Sequence, residues 1–200
     1  VCNYFDVPLQ HASENVLKVM RRPIGKYAAR PFVEFIKNVA PEIAIRTTFI
    51  TGFPGETDKD VQILEDLIKE GFFTNVGIFT YSAEKGTPAG EMQNQIPEEE
   101  KIARRNALMK AQQEVVEKNL ESYIGKTLYV LLEGVHEDTE LLYTGRTEFQ
   151  APDVDGTVII NDAVVNNIED FDMSPGLIYP VEITEVAGYD MIGKIVGDGH

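Results

Sequence analysis

An α/β fold followed by an all-β fold is what the sequence predicts, and three observations point to it. Strand-like and helix-like segments alternate over residues 1–124, five short strands divided by turn residues fill residues 125–200, and the charge changes abruptly between the two parts. Among 200 residues, 18 are Lys or Arg and 33 are Asp or Glu, a net charge of −15. Residues 1–124 hold 15 basic and 18 acidic side chains, a net of −3. Residues 125–200 set only Lys126, Arg146 and Lys194 against 15 acids, a net of −12. That break puts a domain boundary near Ile124 and Gly125.

In the first part, residues 5–9 read as a short extended run ended by Pro8 and a polar turn. Ser13 is positioned to cap a helix whose Val16, Leu17 and Met20 recur at helical spacing. Pro31 opens a second helix with Phe32, Phe35, Ile36 and Val39 on one face, ending before Pro41. Residues 43–50 are rich in β-branched side chains, a strand closed by Gly52-Phe53-Pro54-Gly55. Thr57 and Asp60 form a capping-box pattern for the helix carrying Val61, Leu64, Leu67 and Ile68, which stops at Gly71. Residues 76–81 form the next strand, and Gly86-Thr87-Pro88 marks a loop. Pro97 and three glutamates then start a long helix running to about Ser122, with Ile102, Leu108 and Met109 on its apolar face.

The second part changes period. Residues 127–132, 141–144, 157–160 and 177–186 read as strands, with 192–196 a weaker fifth. Asp155-Gly156, Asn161-Asp162 and Pro175-Gly176 supply turn chemistry between them. Five strands in so short a stretch predict a small barrel of the OB kind.

Composition narrows the function. With 43% hydrophobic and 26% charged residues the chain can bury a core. It opens with Val1 and no charged n-region with an apolar run follows, so no signal peptide is expected. No stretch is apolar for long enough to span a bilayer as a helix. The single cysteine, Cys2, rules out an intramolecular disulfide and any cluster or zinc site built from several thiolates of these residues. Such an acidic chain repels a phosphate backbone unless a local basic face compensates.

The strand ends are the candidate site. Thr48 to Glu56 runs from strand through a glycine turn into a helix, where α/β folds bind ligands. The turn is neither a P-loop nor a dinucleotide-binding glycine triplet, and spacing alone favours an ordinary tight βα turn. Gln10 and Ser13 lie beyond the first strand, with His11 between them, and Tyr81, Ser82 and Thr87 end the third. His136 and His200 show no ligand spacing with His11. No nucleophile–base pair or metal cluster emerges, so the catalytic and metal sets are empty. A ligand pocket is as far as the residues lead.

Four strings carry a resemblance. Asp6-Val7-Pro8-Leu9-Gln10-His11-Ala12-Ser13 with Met20-Arg21-Arg22, Arg46 through Thr57, Tyr81-Ser82 with Gly86-Thr87-Pro88-Ala89, and Gln95-Ile96-Pro97-Glu98-Glu99 resemble the methylthiotransferases of the radical S-adenosylmethionine superfamily. Gly145-Arg146-Thr147 falls where these enzymes carry a small β-barrel called the TRAM domain. The resemblance runs from about Tyr4 to Val196. It implies the later β/α units of a radical S-adenosylmethionine partial TIM barrel with a long trailing helix (1–124), then an OB-like TRAM barrel (125–200).

The family has two branches, one modifying adenosine in transfer RNA and one adding a methylthio group to an aspartate β-carbon of small-subunit ribosomal protein twelve. Arg46-Thr47-Thr48 and Ala151-Pro152-Asp153-Val154-Asp155-Gly156 resemble the protein-modifying branch, although Lys85 stands where Glu is more usual. A barrel at −12 also suits a basic ribosomal protein better than RNA. The resemblance implies S-adenosylmethionine as cofactor, with Gln10, Ser13, Ile50, Gly52, Phe53, Glu56 and Tyr81 as its binding residues. Glu56 lies one residue later than in the commonest superfamily pattern. Two [4Fe–4S] clusters belong to the full-length enzyme, and their cysteine ligands are absent from these residues. The chain alone is accordingly expected to be inactive, and the full enzyme cytoplasmic. A transfer-RNA methylthiotransferase and a non-catalytic acidic binding module are the competing expectations.

Overall fold

The computed structural model describes residues 2–164 and 173–200. The chain divides into two compact units, Phe5–Val115 and Val116–His200 with Val1–Tyr4. The division falls inside the long helix rather than at the charge break, because Val116 and Leu120 pack with barrel residues while Leu108 and Ala111 pack with the α/β core. Glu169, Asp170 and Asp172, part of the acidic excess, lie outside the described residues.

The first unit runs β1 (Tyr4–Gln10), α1 (Glu14–Val19), α2 (Ala29–Val39), β2 (Ala44–Thr51), α3 (Asp58–Lys69), β3 (Asn75–Thr80) and α4 (Glu98–Glu121). Its three strands form one sheet in the order β1-β2-β3. β2 and β3 are parallel, with Thr47 opposite Val76 and Ile50 opposite Phe79. Pro8 lies inside β1, the outer strand next to β2 among the described residues. Ile45, Phe49, Leu64, Leu67, Ile68, Phe73 and Ile78 make the core. Phe49 and Phe73 meet edge-on with ring centroids 5.6 Å apart.

Several local expectations are corrected. α2 starts at Ala29, before Pro31, and buries Ala29 and Val33 with Phe32 and Ile36 beside them. Phe35 and Val39, expected on the same face, are exposed, as is Ile102 of α4. Spacing alone gave the stripes, but the core takes a stripe rotated around each helix. Ser13 does occupy the N-cap of α1, yet its hydroxyl makes no capping bond.

The second unit is a closed barrel of β4 (Thr127–His136), β5 (Thr139–Arg146), β6 (Val158–Ala163), β7 (Ile178–Ala187) and β8 (Asp190–Ile195). The order is β4-β5-β6-β8-β7, with β7 returning to β4. Only the β6–β8 pair is parallel. Val130, Leu132, Val181, Ile183, Met191 and Ile195 fill the interior. Asn161 and Asp162, expected in a turn, lie within β6, where an irregularity between Ile160 and Asp162 absorbs them. No helix among the described residues is long and apolar enough to cross a membrane.

Candidate functional site

The ends of β1, β2 and β3 converge on a cavity of about 360 Å³ in the α/β unit. Gln10, Ile50, Phe53 and Tyr81 line it, one or two from each strand end. Ser13, Gly52 and Glu56 do not line it, and all three are buried. The Phe53 and Tyr81 rings meet at a steep angle, with centroids 5.0 Å apart. The buried Tyr81 hydroxyl has no hydrogen-bond partner among the described residues. A buried donor left unsatisfied is costly.

Glu56 holds the turn between β2 and α3 from inside. Its Oε2 accepts from the Gly52 N–H at 2.7 Å and from Arg104 Nη1 at 2.7 Å, and Thr51 donates to the same carboxylate at 3.1 Å. His11 meets its Oε1 at 3.0 Å. The Ser13 N–H donates to His11 Nδ1 at 2.9 Å, so that nitrogen carries no hydrogen and Nε2–H donates to Glu56. Burial pushes the Glu56 carboxyl up, but hydrogen bonds from His11, Gly52 and Arg104 outweigh it and hold the group below its ordinary value.

The network continues through Ser13, whose hydroxyl donates to Asp60. Asp60 Oδ2 also accepts from the Thr57 N–H at 2.9 Å and hydroxyl at 2.6 Å, and the Thr57 hydroxyl accepts the Asp60 N–H, completing the capping box of α3. Burial raises the Asp60 carboxyl, and these donors more than reverse the effect. His11 is fully buried and committed to Glu56 and Ser13, so it is a structural link here and not an exposed base.

Two contributors from α4 were not visible in the sequence. Arg104 spans Glu56 and Asp58, the latter at 2.8 Å, and also pairs with Glu100. Lys101 is buried, and its Nζ donates to the Tyr81 carbonyl at 2.9 Å. Gly52 has φ +75°, and a Cβ there would collide with the Lys101 side chain. Its glycine is therefore required by Lys101 and by the left-handed backbone. Charged residues on a helix ordinarily face water, so spacing gave no signal for either cation.

Arg21 and Arg22 also line the cavity, both exposed, and no ion-pair partner is found for them among the described residues. Gln10 and Arg21 have φ of 72° and 56°. Such a conformation costs a non-glycine residue about 1–2 kcal/mol. The site thus combines apolar and aromatic walls with a phenol hydroxyl and two guanidinium groups that are unpaired among the described residues. That chemistry suits a ligand with one flat apolar part and one anionic or hydrogen-bonding part. Among the described residues no group of three or more His, Cys, Asp or Glu is placed to hold a metal ion.

Comparison with known proteins agrees with the motifs. Residues 124–196 match the family model described as the TRAM domain. The chain is 43% identical over 198 residues to a protein of Syntrophotalea carbinolica named ribosomal protein uS12 methylthiotransferase RimO, covering 99% of this chain and 42% of that protein. Proteins of the same name from Protochlamydia amoebophila and Bdellovibrio bacteriovorus are each 43% identical over 196 residues, 98% of this chain and 40% and 41% of theirs. The chain spans about two fifths of the length of these curated relatives. The resemblance to methylthiotransferases drawn from the motifs is borne out by them.

Proposed function

We propose that this chain is the C-terminal part of a radical S-adenosylmethionine methylthiotransferase that modifies an aspartate β-carbon of ribosomal protein uS12. The similarity of almost the whole chain to proteins of that name is the observation that carries the reading. The α/β unit then supplies the later β/α units of a partial TIM barrel, and the barrel is the TRAM domain.

The cavity fits the adenosyl group of S-adenosylmethionine. Ile50 and Phe53 offer apolar surface to a flat base, and Tyr81 Oη is a buried polar atom lacking a partner. When bound, the cofactor supplies the methyl group and the hydrogen-abstracting chemistry. Gln10, Ile50, Phe53 and Tyr81 bind and orient it. Ser13, Gly52 and Glu56 support that wall, by fixing the β1 and β2 ends through His11, Asp60 and Arg104. The described residues do not fit an iron–sulfur cluster, since the one cysteine, Cys2, is exposed and has no ligand set around it. On this reading the two clusters are held by residues outside these 200, and the chain alone is inactive.

The acidic barrel receives the basic ribosomal protein, and the enzyme works in the cytoplasm. The full-length enzyme, incubated with S-adenosylmethionine and a reductant and offered uS12 and transfer RNA separately, tests the assignment. Mass spectrometry is expected to find a methylthio group on the uS12 aspartate. Modification of adenosine alone overturns the protein substrate, and modification of neither overturns the activity.

A further inference from the structure

Strain is concentrated at the cavity. Among the described residues three non-glycine side chains have left-handed backbone, Gln10, Arg21 and Asp153, and two of them line this one cavity. Gln10 is the centre of a three-residue turn in which the His11 N–H donates to the Leu9 carbonyl at 2.9 Å. Arg21 occupies the left-handed position that ends α1. The Arg22 N–H bonds to the Leu17 carbonyl at 2.8 Å and the Arg21 N–H to the Lys18 carbonyl at 3.1 Å. Helices that end this way usually place glycine where Arg21 stands.

Arg21 is thus an arginine in a glycine position, in a chain with 33 acidic residues, without a carboxylate partner among the described residues. Strained backbone that persists points toward function. Arg22 lines the same cavity beside it, and a planar guanidinium matches the two oxygens of a carboxylate. We propose that Arg21 and Arg22 form a carboxylate seat at the cavity, with the Arg21 backbone strained to present it. Two sources offer that group once the proposed function is accepted, on which the inference rests: the amino-acid end of S-adenosylmethionine and the aspartate side chain of the protein substrate.

Binding to the full-length enzyme and its Arg21→Gly and Arg22→Ala variants separates them, using two probe pairs. The first is S-adenosylmethionine and its decarboxylated analogue; the second is a uS12 peptide with the aspartate and its asparagine counterpart. The wild type is expected to prefer the carboxylate member of one pair, and each variant to lose about tenfold in that preference. Loss in the first pair assigns the seat to the cofactor, and loss in the second assigns it to the substrate. Arg21→Gly is also expected to raise Tm by about 2 °C, because glycine relieves the left-handed strain. Absence of preference in both pairs, or variants that retain it, overturns the seat. Failure of the methylthiotransferase reading looks different: carboxylate preference persists in the wild type while uS12 gains no methylthio group.

Discussion

Glu56 and His11 meet at 3.0 Å with both side chains fully buried, one from the turn between β2 and α3 and the other from just past β1. The pair joins two strand ends through the interior, and Arg104 supplies the cation that makes a buried carboxylate tolerable.

Glu56→Ala is expected to destabilise the protein by about 3 kcal/mol, since the His11 Nε2–H and the Gly52 N–H lose their buried acceptor and Arg104 loses its buried carboxylate while keeping Asp58 and Glu100. The same group sets a pH dependence. Burial pushes its carboxyl up and its donors pull it further down, so the folded state protonates Glu56 at lower pH than the unfolded chain does. Its stabilising contribution is complete above the ordinary carboxylate value of 4.5 and is lost as pH falls through the lowered folded value. Asp60 acts with the same sign. Urea midpoints measured from about pH 6 to about pH 3 should therefore fall less steeply in Glu56→Gln. Equal slopes in variant and wild type refute the assignment.

Gly52→Ala is expected to cost about 2–4 kcal/mol, combining the left-handed backbone with collision against Lys101. Adding Lys101→Ala should return part of that loss, giving an interaction of about 1 kcal/mol in a double-mutant cycle by chemical denaturation. Strict additivity would show that the two side chains do not compete for this space.

The hairpin of β4 and β5 exposes Glu137, Asp138 and Glu140. If the acidic barrel receives uS12 as proposed, reversing all three to lysine slows association with that protein about tenfold at low salt, with the difference closing as salt rises. Unfolding should change by about 0.5 kcal/mol or less, as the positions are solvent-exposed. Association rates that do not change would leave the acids a solubility role only.

Much of the fold was legible because it is local. The capping box of Thr57 and Asp60, the acidic first turn of α4 and the end of α3 before Gly71 are written in neighbouring residues. The cavity was legible in part: Gln10, Ile50, Phe53 and Tyr81 lie at or just past strand ends, and the parallel β2 and β3 must end on one side. Asn161 and Asp162 misled, because turn-forming residues also sit at strand irregularities when a partner strand such as β8 is present.

By itself the sequence determined the α/β-then-all-β order, the charge asymmetry and the strand ends that form the cavity, since these depend on composition and short-range periodicity. Tertiary structure decided that Glu56 faces inward, that Gly52 yields its space to Lys101 and that Arg21 lines the cavity. It also closed the barrel in the order β4-β5-β6-β8-β7. Each of these depends on groups far apart in the chain, as Glu56 and Arg104 are, and sequence spacing contains no term for that proximity.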